Sequence, residues 1–206
     1  MLLTNLLAFT IASILLTLAP GPDILYVTAQ SISSGKRAGI ITALGLCTGL
    51  IFHTTAASFG VSELFRQSPL AFNLVKYAGA AYLFWLAWQA FREKGGPGNL
   101  TDVPAKSSAQ LYRQGIFMNL LNPKVALFFL AFLPQFVSPG DLAVSVQMLI
   151  LGGIFIIQAI AVFSAVSVLS GHLGSLINRS EKASKYISIS KGIIFILIGL
   201  RIAFGL

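Results

Sequence analysis

The sequence predicts an all-α membrane protein with six transmembrane helices arranged as two inverted three-helix repeats. Three observations lead there. First, the chain is too apolar for water: 56% of its 206 residues are hydrophobic and 10% charged, with a mean hydropathy of +0.84, whereas a soluble domain is usually about 25% charged. Second, the apolar residues gather in six runs, roughly 4–32, 39–62, 70–91, 113–137, 143–170 and 186–205. A bilayer core about 30 Å thick takes about 20 apolar residues per helical crossing, so six crossings use up nearly the whole chain. Third, the basic residues alternate between the gaps. Lys36, Arg37, Arg92, Lys94, Lys106, Arg113, Arg179, Lys182, Lys185 and Lys191 belong to the first, third and fifth gaps, against Arg66, Lys76 and Arg201 on the other side. The positive-inside rule puts the first set in the cytoplasm and both termini outside.

The elements follow in order. Backbone groups in lipid must be satisfied within their own segment, so each run is read as a helix. The first run opens with Leu6 to Leu18, which has the length of a signal-peptide core. No Lys or Arg precedes it, and its nearest small residue, Ala19, is followed by Pro20, so an uncleaved helix is expected. Ser33-Ser34-Gly35-Lys36-Arg37 separates it from a second run containing Gly45-x-x-x-Gly49-x-x-x-His53. That spacing sets all three residues on one face, and the glycines let another helix approach closely. The third run carries Tyr82, Trp85 and Trp88 ahead of Arg92, an aromatic belt at the membrane interface; a substrate contact is the second reading for Tyr82. Residues 93–112, with Gly95-Gly96-Pro97-Gly98, read as a cytoplasmic linker between half one, about 1–92, and half two, about 113–206. Three helices per half give the halves opposite orientations, as in inverted-repeat transporters. The whole chain is then one transmembrane domain. In the fifth run Gln158 either lines a cavity or bonds another helix, and His172 falls in the loop that follows.

Two places interrupt the apolar pattern. Ala19-Pro20-Gly21-Pro22-Asp23 lies inside the first run. Its prolines remove two backbone donors, so the helix must break or kink there. Asp23 is either a loop residue or the start of a second half-helix, facing the positive end of its dipole. The apolar run resumes at Ile24, which favours the broken helix. Asn119-Leu120-Leu121-Asn122-Pro123-Lys124 interrupts the fourth run. Asn122 suits an N-cap and Pro123 the first helical position. Lys124 lies about 18 Å from either end of its run at helical rise, which is far for a lysine to snorkel. A charge at that depth costs about 2.5–3.5 kcal/mol on insertion scales. Both features sit in the first helix of a half, with opposite charges after proline breaks. Paired breaks of this kind form transporter sites near the midplane. The expected site therefore joins Asp23, Lys124, Asn119 and Asn122, with a zwitterion's ammonium at Asp23 and its carboxylate at Lys124. His53 has two equal readings, a proton relay or substrate contact and a neutral ring bonded to a carbonyl.

The net charge of +8 fits membrane topology and anionic lipid better than nucleic acid, because no basic arm stands apart from the apolar runs. Cys47 is the only cysteine, which excludes an intrachain disulfide and a thiolate metal site. No metalloprotease, nucleophile-elbow or phosphate-loop motif occurs, so neither an enzyme nor a cofactor is expected. The alternatives are a metal-ion or other small-solute exporter and a non-transporting scaffold. A metal site would want more buried acids or histidines, and a scaffold has no need of opposed buried charges.

At these residues the sequence resembles the LysE/RhtB superfamily of bacterial amino-acid efflux proteins. The matching pieces are Ala19-Pro20-Gly21-Pro22-Asp23, the glycines of the second helix, Gly79 through Ala87 ending at Arg92, and Phe117 through Lys124 leading to Phe132-Leu133-Pro134-Gln135-Phe136. They run in the family's order along the whole chain. Phe84 and Ala87 depart from the family's usual third-helix pattern. The resemblance implies efflux of an amino acid or derivative from the bacterial inner membrane by proton antiport. The implied partners are that substrate, protons and lipid, with a homodimer left open.

Overall fold

The computed structural model describes residues 3–19, 21–61, 69–92, 106–138, 142–177 and 181–204. The described residues are helical with short connections and contain no strand. Helix α1 covers Leu3–Leu18, α2 Pro22–Ser34 and α3 Lys36–Ala56, the last running on as a π-helical turn over Ala57–Val61. Helix α4 is Pro69–Arg92, α5 is Ser108–Leu120 and α6 is the short Pro123–Leu127, prolonged by a π-helical Phe128–Phe132 and a 3-10 turn at Leu133–Phe136. Helix α7 spans Val144–Ile177 and α8 spans Glu181–Phe204.

By length and composition, two of these helices can cross a bilayer unaided, over Lys36–Gly60 and Val144–Ser170. Two more crossings arise if each bent pair counts as one. Asn5–Leu18 and Pro22–Ser34 meet at 57°, and Ser108–Leu120 and Pro123–Phe136 meet at 50°. Sharp kinks of this size have identifiable causes, and here each coincides with proline. The junction of α2 and α3 needs only Gly35, whose φ of 86° is a left-handed conformation that side chains disfavour.

Helix bounds reach well beyond the apolar runs in three places, the start of α8 at Glu181 being one of them. Helix α5 begins at Ser108, inside the expected linker, because Ser107 and Gln110 form a capping box: Gln110 N donates to Ser107 Oγ (3.3 Å) and Ser107 N to Gln110 Oε1 (2.9 Å). Helix α7 continues to Ile177, so His172 is helical rather than in a loop. Apolar length measures the membrane thickness, and a helix can outrun it.

Helix α3 packs on α5 and α7, α4 pairs with α8, and α1 and α2 lie against α7. The α3–α5 contact is made by absent side chains. A Cβ on Gly45 would lie 2.1 Å from the Tyr112 carbonyl oxygen, and one on Gly115 2.6 Å from that of Thr42. In lipid, where apolar burial gives no drive between helices, such close backbone approach supplies dispersion contacts. A phenylalanine cluster fills the centre: the Phe128 ring packs at a tilt against Phe132 (4.7 Å) and Phe155 (5.2 Å), and Phe9 meets Phe136 edge-on (5.2 Å). It packs directly behind the two breaks.

Candidate functional site

The first break is set by proline chemistry. Ala19 N donates to Leu15 O at 2.9 Å. Residue 20 is proline and has no N–H, so the Leu16 carbonyl has no helical donor. The placement of Pro20 itself lies outside the described residues. The chain passes through extended Gly21 and restarts with Pro22 at the head of α2. Asp23 is then in the first turn of α2, only 5% exposed, where the unpaired N–H groups favour a carboxylate.

The second break repeats the arrangement. Asn122 caps α6 with its side chain, Oδ1 accepting from Lys124 N at 3.0 Å, and Pro123 takes the first helical position. Proline at 123 deprives the Asn119 carbonyl of its own helical donor. That carbonyl accepts instead from Asn122 N (3.0 Å) and from His53 Nε2 (3.1 Å).

Lys124 joins the two breaks. Its Nζ donates to Leu16 O (3.1 Å) and Ala19 O (3.2 Å), the carbonyls at the end of α1. It also sits 5.9 Å from the centre of the Phe195 ring. Gly21 leaves room for it, since a Cβ there would be 3.1 Å from Nζ. A cation at a helix C-terminus and an anion at a helix N-terminus are each favoured by the dipole they face.

Asp23, Asn119, Lys124 and Thr17 line one cavity, closed on its other sides by Leu16, Leu50, Val125, Phe155 and Phe163. Its volume is about 20 Å³, room for about one water. Asn119 Nδ2 donates to Asp23 Oδ2 at 3.5 Å, and the charge of Lys124 acts on the carboxylate. Asp23 Oδ1, Asn119 Oδ1, Gln158 Oε1 and Asn122 Nδ2 are buried with no hydrogen-bond partner. Buried polar atoms without partners are rare in native proteins and want explaining. A larger groove of about 280 Å³ runs between α1, Phe132, Phe136 and α8, but its wall is wholly apolar and offers no chemistry.

The other expected residues fall as follows. Gly49 makes the space for the site: a Cβ there would lie 2.7 Å from Asn119 Oδ1. His53 is 7% exposed and bonded to a carbonyl, with Phe129 5.9 Å away. Tyr82 does not line the cavity; its ring packs on Trp85 at 5.4 Å, and Arg92 stacks over Trp88 at 4.3 Å. Gln158 bonds Thr17 across helices, Nε2 to Oγ1 at 3.0 Å. Sequence reading missed Thr17, Gly115 and the Leu16 carbonyl. The last was available: it stands four residues before Pro20, where a helical acceptor loses its donor.

Comparison with known proteins gives the same picture along the whole chain. A homoserine/homoserine lactone efflux protein of Salmonella typhimurium is 35% identical over 196 residues, covering 95% of this chain and 94% of the relative. The protein of that name in Salmonella typhi is 34% identical over the same shares of both chains. A Bacillus subtilis protein named uncharacterized membrane protein YrhP is 29% identical over 96% of this chain and 97% of its own. No solved structure matches. The family described as LysE type translocator matches residues 14–205, a stretch that takes in both proline breaks and everything between them, and the chain belongs to that family.

Proposed function

We propose that this protein exports small amino acids or close derivatives across the bacterial inner membrane in exchange for protons, through a site formed by Asp23, Asn119, Asn122 and Lys124. The observation that carries the reading is the single cavity at which both broken helices present a buried charge. Two unpartnered acceptors, Asp23 Oδ1 and Asn119 Oδ1, suit the N–H groups of an α-ammonium. The names of the Salmonella relatives point the same way. Homoserine and its lactone share an ammonium and a carbonyl, whereas only homoserine has a free carboxylate. The ammonium is then the obligatory handle, and Lys124 or Asn122 Nδ2 meets the carbonyl end.

One carboxylate is enough for antiport. Asp23 binds either the substrate ammonium or a proton, so release of one on the far side leaves the other to be carried back. The cavity holds about one water, so a substrate enters only when the helices around the breaks part. Motion there disturbs few regular helical bonds. Six crossings in two inverted halves, with loops one, three and five in the cytoplasm, complete this reading. Reporter fusions after Gly98 and Lys182 should then read cytoplasmic and one after Gly140 external; a cytoplasmic signal at Gly140 contradicts the arrangement.

The direct test of function is overproduction. Cells making the protein should resist inhibitory homoserine or a toxic amino-acid analogue and accumulate the solute in the medium. Unchanged resistance and an unchanged medium, with the protein present in the membrane, overturn the proposal.

A further inference from the structure

Gln158 stands out among the buried groups that the proposed mechanism leaves unused. It lies on α7 between Phe155 and Phe163, both of which line the cavity. Its Nε2 donates to Thr17 Oγ1 (3.0 Å), and Thr17 Oγ1 in turn donates to Ser13 O (2.8 Å). The hydroxyl proton of Thr17 is thus committed to its own helix, and Thr17 holds the amide of Gln158 in one orientation. That leaves Gln158 Oε1 as an acceptor, buried with no hydrogen-bond partner on a residue 8% exposed. Its partner Thr17 lines the cavity, and the apolar part of that wall, Leu16, Leu50, Val125, Phe155 and Phe163, has no polar side-chain atom.

The ammonium of a substrate is provided for at Asp23 and Asn119. Gln158 Oε1 asks for a second donor, joined to the first by a short apolar spacer. A hydroxyl on a small side chain answers that description: its methylenes meet the leucine, valine and phenylalanine wall, and its O–H meets the amide oxygen. We propose that Gln158, positioned by Thr17, determines specificity by accepting a hydrogen bond from the side-chain hydroxyl of a small hydroxyamino acid. The inference rests on the amino-acid export reading and names the substrate class of the same site. A site built to bond a hydroxyl discriminates strongly against the analogue lacking it, because its own polar group is left unpaired, whereas an apolar pocket barely distinguishes the two.

The test uses pairs that differ by a hydroxyl for a methyl: threonine against valine, and homoserine against norvaline. Purified protein in proteoliposomes under a pH gradient gives kcat/KM for each. Wild type should favour the hydroxylated member by more than about tenfold. In Gln158→Leu the ratio should fall to near one, with the loss on the hydroxylated member. Thr17→Val, which leaves the amide unheld, should lower the ratio in the same direction, and it carries the test alone if Gln158→Leu does not reconstitute. A ratio near one in wild type, or the same ratio in wild type and variant, overturns the inference and leaves amino-acid export standing. Transport of none of the four solutes by folded wild type overturns both.

Discussion

At the first break, Pro20 strips the Leu16 carbonyl of its helical donor; at the second, Pro123 does the same to Asn119. Each orphaned carbonyl is then taken by a basic side chain from elsewhere in the fold, Leu16 by Lys124 and Asn119 by His53. The difference lies in what each cap leaves behind. Asn119 O keeps a second donor, Asn122 N, and His53 reaches it from α3, an unbroken helix. Lys124 comes from the other broken helix, serves two carbonyls, and acts electrostatically on Asp23. One cap fastens a broken helix to an unbroken one. The other ties the two broken helices together through a charge. Two chemically equivalent proline breaks thus end in two different caps, one held by a neighbouring unbroken helix and one by the other break.

The comparison predicts unequal losses. Lys124→Met should have the largest effect, destabilising by about 3–5 kcal/mol because a buried carboxylate loses its counter-charge. The measure is the yield of monodisperse protein in detergent and its thermal midpoint. Adding Asp23→Asn to it should recover much of that yield while export stays absent. Strictly additive effects on yield would mean that the two charges do not interact energetically. Gly45→Leu comes next, at about 3 kcal/mol, the upper end of ordinary overpacking, since its Cβ would meet the Tyr112 carbonyl oxygen at 2.1 Å. A normal thermal midpoint for this variant would contradict the close α3–α5 contact. His53→Ala should be the mildest, about 1 kcal/mol, the net worth of a typical hydrogen bond. His53→Gln keeps a donor for the carbonyl but cannot titrate, so we expect it to restore the yield and retain proton-coupled export. Normal yield with coupling lost would make His53 a proton relay instead of a cap.

Much of this was legible in the sequence, for physical reasons. Lipid requires helices, and the six apolar runs all fall on helices, α1 with α2 sharing one run and α5 with α6 another. Proline's missing N–H located both breaks, and Asn122-Pro123 announced the start of α6. Boundaries were less legible where charge and helix part company. The capping box at Ser107 and Gln110 carries α5 into the supposed linker, and α7 outlasts its apolar run. The partners of Lys124 were out of reach, because side-chain reach between helices is set by tertiary packing. Sequence reading gave Lys124 to a substrate carboxylate, and did not ask which backbone oxygens the prolines had freed. Thr17 carried no signal of its own, being one hydroxyl on an apolar helix. Only its bond to Gln158 brings it to notice.

The central claim is that Asp23 is the group for which substrate and proton compete. The most direct measurement is export by Asp23→Asn in proteoliposomes, with homoserine as substrate and an imposed pH gradient, beside wild type of equal amount and equal thermal midpoint. We expect pH-driven export by wild type and none by Asp23→Asn, although the variant is folded. Gradient-driven export by folded Asp23→Asn at the wild-type rate would contradict it.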